Sequence, residues 1–319
     1  MLNEEQFNIL GNKKCSSLNI VVKNSGILGG PLSTELDYEH KGIVVHIEIS
    51  QCFKRTVSLS VDTSIKINQL WECYSLLERL LVLFDGRFYF IESVTFAGDD
   101  CNEDEYSLYA QECTSRRLSY CKTDPAYCYS EHVFLKFNTV LSSELISRWI
   151  QLQNELDIVH QVVLYNIADT GITHDVKCAN LIECFESMAE VIGIYDNFFL
   201  SLKPGDRTTT LKMCIDAVIS KFGQDIFAEE YTINKEKFLQ ILVSTRVRIM
   251  HIKRNQSPEK YLSGEESILY VIKLCHLYRV VLLSLLGIDY SSYRSAVVKS
   301  VEQWNMWNGI LSNFITTLK

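Results

Sequence analysis

The period of the hydrophobic pattern changes near residue 140, and that change constrains the fold more than any other feature of this chain. Before it, apolar residues alternate in short β-branched or aromatic runs: Gly42–Ser50 (GIVVHIEIS), Arg55–Val61 (RTVSLSV) and Arg87–Phe96 (RFYFIESVTF). Period two means that one face is buried, so these are strands. Gly29-Gly30-Pro31 and Asp85-Gly86 mark turns. One helix interrupts the strands at Gln69–Leu83 (QLWECYSLLERLLVL) and stops at Asp85-Gly86. The polar, acidic, cysteine-bearing stretch Gly98–Tyr129 has no clear period and is expected to be an irregular loop or insertion. His132–Phe137 is a candidate last strand.

After residue 140 the spacing becomes helical. Ser142 or Ser143 can cap a helix through Leu145, Trp149, Leu152 and Leu156 toward Val163. Further helices are expected at about Asp175–Asp196, Thr208–Phe222, Asn234–Lys253 and Glu265–Leu286, the last ending at Gly287. A helical tail is expected over Ser295–Leu318. Strands followed by helices imply an α+β arrangement: a β-rich N-terminal domain over residues 1–140, of sensing or regulatory type, then an all-α helical bundle over 141–319. A length of 319 residues suits two domains.

Composition narrows the partners. The formal charge is −8, with 13 basic and 19 acidic side chains in residues 1–140 and 18 and 20 in residues 141–319. A protein that coats nucleic acid would be basic, so any contact with RNA must be local, and DNA is not an expected partner. No apolar run approaches the ~18 uncharged residues of a membrane span. Tyr270–Gly287 is interrupted by Lys273, His276 and Arg279 and is expected to be a buried amphipathic helix. The acidic start, MLNEEQFNIL, does not look like a signal peptide, so a cytoplasmic location is expected. The eleven cysteines are scattered; Cys178, Cys184, Cys214 and Cys275 sit in apolar helical patterns, as reduced buried thiols do. Cys101, Cys113, Cys121 and Cys128 form the densest group. They include no Cys-x-x-Cys pair, which leaves zinc there as the lesser alternative to structural thiols, and no cofactor is expected.

The segment Leu242–Arg254, LVSTRVRIMHIKR, carries the chemistry. Arg246 is a permanent cation, and His251 exchanges protons near neutral pH. Together they offer a phosphate clamp and a proton carrier. On a helix, five residues put them about 140° apart, whereas Arg248 and His251, three apart, lie closer to one face. Either arginine could therefore be the clamp, and Arg248, Lys253 and Arg254 suit substrate binding. The plainer alternative is that a histidine beside lysine and arginine at a helix end is a surface or capping residue. His160, His174 and His276 have no constellation around them, and His276 suits a core or interface. Trp71, Trp149, Trp304 and Trp307 are expected to pack, with Trp304 and Trp307 also suited to a subunit contact. No phosphate loop, His-Glu-x-x-His or Gly-x-Ser-x-Gly motif is present.

Three segments, NLIECFESMAE (Asn180–Glu190), LVSTRVRIMHIK (Leu242–Lys253) and LYRVVLLSLLGI (Leu277–Ile288), resemble the Apea-like HEPN family in content, order and spacing, over about residues 145–290. The β-rich part resembles more loosely the domains that precede it in that family. The resemblance implies a bundle of four to five helices and the signature Arg, four to six residues, His, which Arg246 and His251 fit. It also implies a metal-independent endoribonuclease acting by 2′-hydroxyl attack, and a homodimer through the helical domain with two motifs facing one cleft. A role in anti-phage defence and tRNA as a substrate are further implications. Glu186, in the matched segment of the second helix, could orient Arg246; as a bare helix residue it would be a solvated carboxylate. The residue after the motif arginine, usually polar in the family, is Val247 here. That departure is compatible with the alternative of a catalytically inactive HEPN scaffold for dimerisation or partner binding.

Overall fold

The computed structural model describes residues 2–23, 32–52, 54–100, 102–118, 133–167, 172–203, 208–250 and 260–319. Two compact units divide the chain, one of Met1–Gln151 and the other of Leu152–Ile167 and Gly171–Lys319.

The first unit is built on a five-stranded antiparallel sheet. Its strands are β1 (Lys14–Lys23), β2 (Leu32–His40), β3 (Ile43–Gln51), β4 (Lys54–Lys66) and β5 (Phe90–Ala97), in the order β2-β3-β4-β1-β5. Alternation selects the inner face: Leu18, Ile20 and Val22, Val45, Ile47 and Ile49, and Val57 and Leu59 are all buried. Register brings them opposite one another, with Ile20 and Ile49 both paired to Val57. The β2–β3 hairpin turns at Lys41-Gly42, both with positive φ (52° and 76°), the sense that matches strand twist. Helix α2 (Ile67–Asp85) follows α1 (Glu4–Gly11) in chain order and packs on β1 and β4 through Leu70, Tyr74, Leu77, Leu81 and Phe84. It ends at Gly86, whose φ of 72° suits glycine.

Two expectations for this unit need correcting. The supposed irregular loop Gly98–Tyr129 contains a helix, α3 (Glu103–Leu118), with residues 119–129 outside the described part. Asn102 and Glu105 cap it reciprocally, each side chain accepting the other's backbone N–H at 2.9 and 3.2 Å. Tyr106, Tyr109, Ala110 and Cys113 form its buried stripe. That stripe contains no aliphatic residue larger than alanine, so its helical period is faint. The candidate strand His132–Phe137 is not one. Residues 133–136 are irregular, and Phe137–Val140 form a short helix, α4. Phe134 N–H donates to Phe84 O at 2.8 Å. His132 lies outside the described residues.

The helix expected from Ser142 to Val163 is two. Ser142 Oγ accepts from Leu145 N–H at the start of α5 (Ser143–Leu156). Asp157, with φ 46°, then breaks the chain before α6 (Ile158–Ile167). Trp149 is fully buried and donates to Leu76 O.

The second unit is helical. Its elements are α7 (His174–Glu183), α8 (Phe185–Tyr195), α9 (Asn197–Leu202), α10 (Leu211–Phe222), α11 (Ala228–Met250), α12 (Glu265–Leu285), α13 (Arg294–Asn305) and α14 (Ile310–Leu318). Helix α12 is the centre, packed by α6, α7, α10, α13 and α14. It is long and apolar enough to cross a membrane by length and composition, and most of it is buried within the protein. It is not amphipathic as expected but buried on all sides, because its polar residues find partners inside. Lys273 pairs with Glu230 at 2.5 Å, Tyr270 donates to the same carboxylate at 2.9 Å, and His276 meets Ser300 at 2.7 Å.

Cys178, Cys184, Cys214 and Cys275 are all buried. Burial pushes Cys184 and Cys275 up to about 12 and Cys214 up to about 11, so they stay protonated. Cys113 is buried against Tyr109, while Cys101, Cys121 and Cys128 lie outside the described residues. Trp304 and Trp307 stack edge-on at 5.5 Å.

Candidate functional site

The site is set by three segments of the helical unit: the end of α7, the end of α11 and the chain entering α12. Helix α11 restarts in its middle. Asn234 has extended backbone (φ −163°, ψ 85°), and its side chain accepts from Lys237 N–H at 3.1 Å, so it caps everything that follows. From there Phe238, Leu239, Ile241, Leu242 and Thr245 form the buried stripe. The helix emerges from the core after Thr245.

Arg246 is the first residue past that stripe. Its Nε donates to Glu183 Oε2, and its Nη2 donates to Glu183 Oε1 at 2.8 Å, a two-pronged contact. The arginine side chain is 26 % exposed and the glutamate 42 %. The Glu183 hydrogen bond holds the guanidinium above the ordinary arginine range against the opposing effect of burial, with smaller contributions from the charges of Glu183 and Glu186. The carboxylate that grips the arginine is thus Glu183, where sequence reasoning had chosen Glu186. The cause is the break at Cys184, where α7 stops and α8 begins. Glu183 ends the helix that packs along α11, while Glu186 opens the next one, where its charge also raises Cys214 of α10. A single continuous helix across 175–196 hides this difference, and the abrupt Cys184-Phe185 junction leaves no Gly or Pro to reveal it.

A second face of α11 holds the incoming chain. Thr245 is fully buried; its hydroxyl donates to Ile241 O at 2.8 Å and accepts from Leu262 N–H at 2.9 Å. Leu262 is itself fully buried. Asp175, in the first turn of α7, accepts from Gly264 N–H at 3.0 Å and from Ser267 Oγ at 2.5 Å. These bonds fix residues 262–267 against α11 and α7. Tyr261 thereby meets Arg248, whose guanidinium carbon lies 5.3 Å from the ring centroid. Arg248 and Tyr261 are both half-exposed. Val247 is half-buried between the two arginines.

The structure therefore gives Arg246 and Arg248 different surroundings, one on a carboxylate and one on an aromatic ring. His251, Lys253 and Arg254 lie outside the described residues. Among the described residues no group of His, Cys, Asp or Glu could hold a metal ion. Sequence reasoning missed Glu183 and Tyr261; Glu183 sits inside the quoted Asn180–Glu190 segment, and Tyr261 only near the Leu242–Arg254 one.

Residues 195–292 match the family model described as Apea-like HEPN. That span includes α9 to α12, with Arg246, Arg248 and Tyr261, and begins after Glu183 and Glu186. No curated protein and no solved structure matches the chain.

Proposed function

The C-terminal helical part carries an Apea-like HEPN domain, a domain type generally ribonuclease-like, and from it we propose that the protein is a metal-independent endoribonuclease. The observation that carries this reading is Arg246. It is a permanent cation, partly exposed and held by its fork on Glu183, near the end of α11 within the matched span. Such a group needs no reorganisation to meet negative charge developing on a phosphate.

In this reading His251 takes the proton from a 2′-hydroxyl, and the 2′-oxygen attacks the adjacent phosphorus. Arg246 stabilises the charge on the phosphorane, and the 5′-oxygen leaves with a proton. One motif supplies one histidine, so a homodimer through the helical domain would supply the second proton carrier. The products are a 2′,3′-cyclic phosphate and a 5′-hydroxyl. Arg248, Lys253 and Arg254 contact the strand to either side. The substrate is unpaired RNA, because a loop can reach the in-line geometry that a duplex forbids. A tRNA loop is the first candidate, and halting translation in a phage-infected cytoplasm is the role such cleavage would serve.

A second reading, an inactive scaffold for dimerisation or partner binding, draws on the same pair. Glu183 neutralises Arg246, and Glu186 adds further negative charge beside it.

The test is cleavage of tRNA in EDTA by the wild type, His251→Ala and Arg246→Ala, with the RNA ends identified. Cyclic-phosphate ends made only by the wild type support the nuclease. Intact RNA with a well-folded wild-type dimer supports the scaffold.

A further inference from the structure

We infer that Arg248 and Tyr261 form a stacking platform for one unpaired nucleobase, on the other side of α11 from the position where Arg246 meets phosphate. This inference rests on the reading of the helical unit as an RNA-binding nuclease, and it names what that site recognises: a base turned out of a single strand.

A half-exposed arginine at a helix end ordinarily turns toward a carboxylate or into water. Here the guanidinium lies over the Tyr261 ring at 5.3 Å, an attraction between a cation and the ring's negative face. Arginine suits this because its charge is planar and weakly hydrated, so it stacks where lysine would not. The ring does not reach that position by chance. Tyr261 is one residue before Leu262, whose N–H is held by the buried Thr245 hydroxyl at 2.9 Å, and Thr245 is three residues before Arg248 on the same face of α11. Two residues beyond Leu262, Gly264 N–H is held by Asp175 at 3.0 Å. The backbone that follows the tyrosine is therefore pinned before any ligand arrives, which lowers the ordering cost of binding.

A planar cation over a phenol ring offers what an unpaired base requires: a flat π-surface of adaptable stacking partners, with a positive charge for the adjoining phosphate. Arg246 and Arg248 are two residues apart, so they project from α11 about 160° from each other. One strand crossing the end of α11 would meet Arg246 with one phosphate and the platform, across the helix, with a base several nucleotides away. Stacking tolerates any base, so the platform selects for a base that is unpaired rather than for its identity.

The test uses a short single-stranded RNA with 2′-fluoro sugars, which lacks the attacking hydroxyl and cannot be cleaved by internal transfer. Its binding to the full chain is measured by fluorescence anisotropy. Tyr261→Ala is expected to weaken binding by about five- to a hundredfold, the range for removing one base-stacking aromatic. Arg248→Lys, which keeps the charge but loses the plane, weakens it in the same direction, while Tyr261→Trp binds at least as well as the wild type. With an abasic strand the wild type binds more weakly, and the difference between wild type and Tyr261→Ala disappears. Equal binding of the 2′-fluoro strand by wild type, Tyr261→Ala and Arg248→Lys overturns the platform; if that wild type still cleaves tRNA, the nuclease reading stands without it. A wild type that binds no RNA overturns both.

Discussion

At the scale of single residues, two buried or half-buried charges carry measurable consequences. Glu183 is a positioning residue for Arg246, since its carboxylate fixes the guanidinium through two hydrogen bonds. Glu183→Gln keeps the shape and loses the charge, so the fork is no longer fixed in one orientation. If the proposed nuclease reading holds, the cost of misplacing Arg246 should lower kcat/KM for RNA cleavage by about tenfold or more, with helical content unchanged. A rise in activity would instead mean that Glu183 competes with phosphate for the fork. The second charge is Lys273, fully buried with Glu230 and lying over the Phe227 ring. Lys273→Met leaves a carboxylate in the core with no cation, which costs about 3–5 kcal/mol in urea unfolding. Adding Glu230→Gln should recover most of that loss. A single substitution costing under about 1 kcal/mol would show that the carboxylate reaches water or gains a proton cheaply. Both residues show the limit of reading a sequence. Lys273 stood out as an interruption of an apolar run, but its partner lies 43 positions away, and no local pattern identifies it.

At the scale of elements, side-chain caps mark the start of some helices, and the sequence points to those at Ser142 and Asn234. Asn234 marked the start of a helix in the sequence and is a cap in the structure, even though α11 continues on its N-terminal side. Asn234→Ala should cost about 1 kcal/mol of stability, read from the urea midpoint; no change would mean that the preceding turn carries the restart alone. In the sheet, His46 of β3 bridges its neighbours, with Nδ1 on Asp37 of β2 at 2.7 Å and Nε2 on Asp62 of β4 at 3.3 Å. Hydrogen bonding to Asp37 and then Asp62 raises its pKa above the ordinary histidine value. The protonated form is therefore favoured by folding. Its contribution is fully present below the unfolded-state pKa of about 6.5 and is lost as pH rises through the higher folded-state value. The stability difference between wild type and His46→Gln should thus favour the wild type at acidic pH and vanish at alkaline pH; a difference independent of pH would refute the clamp. The strands carrying these residues were legible from alternation in β3 and β4. Helix α3 was not, because Tyr106, Tyr109, Ala110 and Cys113 give a buried stripe with little hydrophobic contrast.

At the scale of the whole molecule, charge governs how RNA could be met. With a formal charge of −8 the protein repels a polyanion except where its cations gather. Contact through Arg246, Arg248, Lys253 and Arg254 would neutralise no more than a few phosphates. At about −0.7 per phosphate for a single strand, the slope of log affinity against log salt should be near −3. A slope of about −7 or steeper would reveal a broad basic surface and refute the local contact.

The sequence by itself determined the change from strands to helices, the central apolar helix, the buried thiols and the segment that carries Arg246 and Arg248. Each of these follows from spacing along the chain, and spacing is a local property. Only the tertiary structure decided which groups meet. It set Glu183 rather than Glu186 on Arg246, paired Lys273 with Glu230, and brought Tyr261 back to Arg248 through the Thr245 hydroxyl. Such contacts depend on how α7, α11 and the start of α12 pack and on where one helix stops. A break of one residue, as at Cys184, moves a carboxylate from one neighbour to another without leaving a mark in the sequence.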